Sequence, residues 1–438
     1  MSPENPACTM DAAALAAVAE ERIDWRFRSV SPALAGLTLA EAAQRRARLF
    51  DDGFFGPFVV LGAEALEHNL ATMADWCAAR GVVLAPHGKT TMAPQLFARQ
   101  IAHGAWGITA ANAGHIRIYR AFGVSRILLA NQLLDPAGLR WVAAELAADP
   151  AFEFVCWVDS VRGVELMTEA LAGTKRPVDV LVELGADGGR TGVRDQETAL
   201  AVAEAVHASP VLRLRGTGGY EGALSHGTDD ASLAKISSYV DTLRDAVISF
   251  ADKGLLDGAG QVIVTAGGSA YFDRVADELT KPWPDGLDVL PVLRSGAYVT
   301  HDDGFYREIS PLGGHPRIAD VPPFRPALRA WAQVTSKPSD ELALLTIGKR
   351  DASFDEGMPE PQLHRTADGK IAELTGHTVT KLNDQHAFLA LPAGSGIEVG
   401  DWVALGLSHP CTVFDKWPLL PVVDTDGETV IDFVRTHF

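Results

Sequence analysis

The sequence predicts an α/β protein, a TIM-type (β/α)8 barrel followed by a C-terminal all-β domain. Three observations carry this. From Phe58 onward short, almost continuous apolar runs alternate with amphipathic helical stretches, the pattern of parallel strands covered on both faces. There are eight such strand candidates with seven helices between them, which suits a closed barrel. After about Asp303 the texture changes to short β-rich segments separated by turn-rich stretches, which reads as a second, compact β-domain.

In chain order, residues 1–55 form an N-terminal extension with two helical patterns, 11–22 and 39–50, expected to pack outside the barrel or against another subunit. The barrel domain is placed at 56–303. It opens with an introductory strand near 58–61 and a helix at 64–80. Its eight strands centre on 82–84, 107–110, 126–130, 152–158, 180–184, 214–218, 261–265 and 289–293. The clearest helices are 113–122, 136–148, 161–171, 197–208 and 232–252. The third domain, 304–438, has strand candidates at 330–336, 342–347, 387–391, 402–407 and 430–434, with 351–369 read as turns.

Bulk properties narrow the function classes. A chain of 438 residues with 47% hydrophobic content has enough apolar material for two substantial cores. A formal charge of −18 argues against nucleic acid or an anionic membrane as main partner and favours a small-molecule enzyme. The four cysteines, Cys8, Cys77, Cys156 and Cys411, have no framework spacing. With no signal-like start and no membrane-length apolar run, the expected compartment is the cytoplasm.

The stretch 82–94, VVLAPHGKTTMAP, organises the rest. A short apolar strand runs into Pro86, His87, Gly88 and Lys89, then a helix expected at about 92–103. A lysine at a strand mouth can form a Schiff base with a carbonyl cofactor or substrate; a solvated loop lysine is the plainer reading. Gly88-Lys89-Thr90 is not a nucleotide phosphate loop, because Val83 stands where that loop needs glycine.

In a TIM barrel reactive groups belong at the C-terminal strand ends, and the unusual residues of this chain fall there. After the fifth strand, Arg190 sits among Gly185, Gly188, Gly189 and Gly192, able to meet an oxygen anion or simply to salt-bridge elsewhere. The sixth ends in GTGGYEGALSH, which fails the dinucleotide pattern at Glu221 and offers Tyr220 and, further out, His226. At the seventh, Gly267, Gly268 and Ser269 precede a helix start, a good phosphate site unless it is only a cap. The hydrolase pattern G-x-S-x-G fails there at Tyr271. The eighth strand brings Arg294, Tyr298, His301 and Asp302, polar residues at a domain joint to which no role is assigned. Far downstream, SHPCTVFDKW puts His409 and Cys411 two apart. In an extended segment that spacing shows both side chains on one face, and the pair suits zinc, although for the pair alone a buried cysteine beside a histidine is the plainer reading.

Pro86-His87-Gly88-Lys89-Thr90 resembles the lysine motif of the D-threonine aldolase and D-serine dehydratase family, with Ala85 departing from the Arg that many members carry. His409-x-Cys411, continued by Phe414-Asp415-Lys416-Trp417, resembles the dehydratase branch, whereas D-threonine aldolases usually show His-x-Asp there. The resemblance runs from about Phe58 to the C-terminus and leaves out the first fifty or so residues.

It implies an alanine-racemase-like fold with pyridoxal 5'-phosphate on Lys89, Arg190 near its phenolic oxygen, Tyr220 lining its ring, and its phosphate at Gly267, Gly268 and Ser269. It implies zinc, or alternatively manganese or magnesium, on His409 and Cys411. The implied activity is conversion of a D-3-hydroxy amino acid to a 2-keto acid and ammonia, D-serine first, then D-threonine or D-threo-3-hydroxyaspartate. Metal-dependent D-threonine aldolase chemistry is the alternative on the same residues, and a non-catalytic pyridoxal phosphate carrier is the alternative of another class. The resemblance also implies a homodimer in which one subunit's β-domain closes the other's barrel mouth.

Overall fold

The computed structural model describes residues 7–438. The first six residues of the expected extension lie outside the described residues. The first strand, β1 (Phe58–Gly62), is followed by eight parallel strands: β2 (Val83–Leu84), β3 (Ile108–Ala110), β4 (Arg126–Gln132), β5 (Glu153–Val158), β6 (Val178–Leu184), β7 (Leu212–Gly219), β8 (Val262–Ala266) and β9 (Val289–Leu293). Their order is β2-β9-β8-β7-β6-β5-β4-β3, a curled eight-stranded sheet. Its ends meet through Trp106 N donating to Leu84 O at 2.7 Å and Thr109 N donating to Pro86 O at 2.9 Å.

Both faces of these strands are buried, which is why they read as unbroken apolar runs. Leu128, Val155, Leu181, Ile263 and Val292 point inward and pack with Trp106 and Trp157. Their chain neighbours Ile127, Leu129, Phe154, Cys156, Val180 and Val264 point outward beneath the helices. Each helix after β3 to β7 starts at a side-chain cap: Asn112, Asp135, Ser160, Asp195 and Asp229 accept amides of the first turn. Those caps set where the chain leaves each strand mouth.

The second sheet joins β10 (Leu328–Ser339), β11 (Leu342–Leu345), β12 (Glu360–Arg365), β13 (Ile371–Glu373), β14 (Thr378–Leu382), β15 (Ala387–Ala390), β16 (Trp402–Gly406), β17 (Leu419–Val423) and β18 (Val430–Arg435). It also takes in β1, which pairs antiparallel with β10 and parallel with β17. The introductory strand therefore belongs to the β-domain rather than the barrel, and the chain enters the barrel only after it. The stretch 351–369 is not all turn, since β12 lies within it.

The N-terminal extension packs on this β-domain: Val18, Ile23, Phe27, Leu39 and Leu49 share a core with Phe58, Trp331 and Phe433. Its second helix is shorter than expected. It stops at Gln44 because Arg46 turns into the left-handed region at φ 49°. Among the described residues no helix is long and apolar enough to cross a membrane.

Candidate active site

At the barrel's C-terminal mouth lies a cavity of about 250 Å³ lined by Lys89, His87, Trp157, Arg190, Tyr220, Ser269, Arg294 and Cys411, among others. A connected chamber of about 440 Å³ adds His226, Phe305, Glu356 and His409. Lys89, Arg190, Tyr220, Gly268, Ser269 and Cys411 line both.

Lys89 lies in a single 3-10 turn, Gly88–Thr90, and the following helix begins only at Pro94. Two glycines make this turn possible. A Cβ on Gly88 would sit 2.5 Å from the Tyr119 hydroxyl, and one on Gly296 would sit 2.7 Å from His87 O, so the exit of β9 presses directly on the lysine turn. Burial, together with Arg190 and Arg294, lowers the Lys89 pKa, against the opposing influence of Cys411.

Several groups in this cavity lack protein partners. His87 Nδ1 and Trp157 Nε1 are buried with none. Arg294 is buried and held by Thr265 Oγ1 at 3.1 Å and by the Gly219 carbonyl, with its guanidinium 4.9 Å from the Trp157 ring. It forms no salt bridge among the described residues, so its charge faces the cavity uncompensated by direct contact. Arg190 is exposed and stacks 4.3 Å above the Tyr220 ring. An anionic, planar, aromatic carbonyl compound fits this set: cations and aromatic faces around it, and an amine at one end.

Two of the amides read in the sequence as a phosphate site have a partner within the protein. Gly267 N donates to Glu221 Oε2 at 2.9 Å and Gly268 N to Glu221 Oε1 at 2.6 Å, and Glu221 is fully buried. Those two amides are already committed. Ser269 remains at the cavity wall, beside Gly296 and Ala297 at the start of a 3-10 turn whose amides have no partner among the described residues. The donors on offer are therefore Ser269, Gly296 and Ala297. The carboxylate that spoiled the dinucleotide motif in sequence is what commits the glycines.

His409 and Cys411 do converge, though not on an extended strand. His409 is left-handed at φ 51° and Cys411 opens a short helix, Cys411–Phe414, after Pro410. The Asp302 carboxylate accepts His409 N at 3.0 Å and caps the turn that carries Tyr306. His409 Nδ1 lies 2.6 Å from Asp355 Oδ2. A hydrogen bond to Cys411 holds the His409 pKa up at about 9, with burial opposing it and Asp355 adding to it. A nitrogen and a sulfur meeting at a cavity wall suit a borderline-soft divalent metal. No group of three histidine, cysteine or carboxylate ligands forms among the described residues.

Of the unassigned residues, Arg294 is at the centre. Asp302 acts on the backbone of His409. Tyr298 is buried outside the cavity with its hydroxyl 3.3 Å from Gln100, and His301 is buried against Phe324. His226 lines the outer chamber with its ring 5.9 Å from Phe305. Thr90, Trp157, Gly296, Tyr306 and Asp355 escaped sequence reading. Only Thr90, inside the lysine motif, carried any local signal.

Residues 62–271 match the family model "Alanine racemase, N-terminal domain" and residues 327–423 the model "Putative serine dehydratase domain". A D-threonine aldolase of Arthrobacter sp. is 27% identical over 378 residues, covering 84% of this chain and 88% of the relative. A D-threo-3-hydroxyaspartate dehydratase of Delftia sp. (strain HT23) is 25% identical over 399 residues, covering 87% and 97%. The crystal structure of D-threonine aldolase from Filomicrobium marinum superposes with a TM-score of 0.73 at 25% identity, covering 87% of this chain and 95% of that one. The chain thus carries an alanine racemase N-terminal domain followed by a putative serine dehydratase domain on an alanine-racemase-like fold, with D-threonine aldolase and D-threo-3-hydroxyaspartate dehydratase among its homologues.

Proposed function

We propose that this protein is a pyridoxal-phosphate- and metal-dependent lyase of D-3-hydroxy amino acids, a dehydratase that turns D-serine or a near relative into a 2-keto acid and ammonia. One observation carries the reading: Lys89 and the His409–Cys411 pair, 320 residues apart in sequence, open onto one chamber. When bound, pyridoxal phosphate supplies an electron sink for charge developing at Cα, and a divalent metal supplies Lewis-acid polarisation of the 3-hydroxyl group.

The chain's own residues do the rest. Lys89, whose pKa burial lowers, would be the attachment point for the cofactor and the base for the Cα proton. Ser269 and the amides of Gly296 and Ala297 hold the phosphate. Arg190 and Arg294 stabilise negative charge on the ring substituents, and Trp157 and Tyr220 exclude water from the ring faces. His409 and Cys411 hold the metal beside the lysine. For D-serine the products are pyruvate and ammonia, one water being lost and one regained.

Retro-aldol cleavage of D-threonine to glycine and acetaldehyde is the second reading, favoured by the aldolase relative. It uses the same residues and differs in whether the hydroxyl is expelled or deprotonated. The test is an assay of the cofactor- and zinc-loaded protein with D-serine, L-serine and D-threonine, measuring keto acid and glycine. Keto acid from D-serine alone, lost on chelation, supports the dehydratase; glycine without keto acid supports the aldolase. Full occupancy with no turnover of any D-amino acid would favour a carrier.

We also infer a homodimer. Phe354 and Met358, exposed on the loop beside Asp355 and Glu356, are apolar residues suited to an interface near the mouth. An active monomer in sedimentation would exclude it.

A further inference from the structure

The loop 351–358 lies in a stretch read from sequence as turns, yet it carries Asp355, whose carboxylate meets the ring of the proposed metal histidine. Resting on the metal reading above, we infer that Asp355 is the positioning residue of the metal centre, selecting which His409 nitrogen faces the metal.

Both oxygens of Asp355 are engaged. Oδ2 is 2.6 Å from His409 Nδ1, and Oδ1 accepts the Thr412 hydroxyl at 2.9 Å. An ionised carboxylate only accepts, so the proton between Asp355 and His409 belongs to Nδ1. That leaves Nε2 as the nitrogen on the Cys411 side, the one that would ligate a metal once it gives up its proton. A carboxylate on the far nitrogen fixes ring orientation and tautomer and makes the ligating nitrogen more basic.

The surroundings keep this arrangement in place. His409 holds a left-handed backbone that a non-glycine residue adopts only when its neighbours impose it, and Asp302 clamps its amide. Ser408 receives the Phe305 amide and donates to Glu356 O, tying the loop to the barrel exit. At the loop's start, Asp351 O accepts Trp417 Nε1 at 2.8 Å, and the Asp351 carboxylate pairs with Arg28 at 3.1 Å. Arg28 also stacks 4.3 Å from the Trp417 ring. The N-terminal extension thus braces both segments, 351–358 and 409–417, that meet at the metal pair.

The test is zinc affinity of the full-length, cofactor-loaded protein, measured by competition with a chromophoric chelator for wild type, Asp355→Ala, Asp355→Asn and His409→Ala. Asp355→Ala is expected to bind zinc about 10- to 100-fold more weakly. Asp355→Asn, whose amide oxygen still accepts Nδ1–H, should fall between it and wild type. The cofactor's absorbance, which reports the Lys89 end of the site, should stay unchanged in both. Zinc affinity of Asp355→Ala and Asp355→Asn within threefold of wild type would overturn the positioning role alone. Wild type and His409→Ala binding zinc equally poorly would overturn the metal reading and this inference together.

Discussion

Cys411 Sγ lies 3.4 Å from Thr90 Oγ1, so the last chemically distinctive residue of the β-domain touches the turn that carries Lys89 across 321 residues of chain. This contact makes one centre of two distant motifs.

Lys89 is the residue whose loss should be least tolerated. Lys89→Ala should reduce keto acid formation by about 10³-fold or more, since it removes both the attachment point and the Cα base. Burial lowers its pKa, so the reactive neutral amine is present at lower pH than for a free lysine. The rate of pyridoxal phosphate uptake by the cofactor-free protein should therefore rise with pH to a plateau whose midpoint lies below 10.5. A midpoint at or above 10.5 would contradict the burial argument.

Arg294 should govern cofactor retention. Arg294→Gln removes a buried cation with no carboxylate in direct contact, and a hydrogen bond to a charged group is worth about 1.5–3 kcal/mol. Cofactor dissociation measured by dialysis should speed by roughly 10- to 150-fold, which is that range expressed as an equilibrium factor.

Glu221→Gln separates structure from chemistry. The carboxylate accepts from both Gly267 and Gly268, whereas a glutamine amide has one oxygen and turns its NH2 toward one of those donors. One buried amide is left unpaired, at a cost of about 1–3 kcal/mol. The urea midpoint should fall, and cofactor loading should weaken less than in Arg294→Gln.

Acid stability should carry the mark of His301. Burial, with a lesser contribution from Arg307, holds its pKa down at about 4, against an ordinary 6.5. Between those values the unfolded chain takes up a proton that the folded one refuses, so stability falls as pH drops from about 6.5 to about 4 and changes no further below. The size is about 3 kcal/mol. Asp303 acts with the opposite sign. Burial raises its pKa to about 6, so the folded state holds the extra proton and stability falls as pH rises from 3.8 towards 6. Urea unfolding against pH should show His301→Leu losing less stability on acidification than wild type, and Asp303→Asn gaining most at neutral pH.

What the sequence by itself determined was local and periodic. The eight barrel strands read within a few residues because both faces are buried, leaving an apolar signature independent of partner. The helix starts read because caps such as Asp135 and Asp229 act within one turn of themselves. Lys89, His409 and Cys411 stood out as short motifs. Only the tertiary structure decided the rest, because the forces concerned join residues far apart in sequence. It assigned β1 to the β-domain through pairing with Leu328–Ser339, put the Glu221 carboxylate on the amides of Gly267 and Gly268, and left the Arg294 charge facing the cavity. It also brought Asp355, a loop acid with no pattern around it, onto the ring of His409. A side chain's partner in space leaves no periodicity in sequence, and at this site the partners set the chemistry.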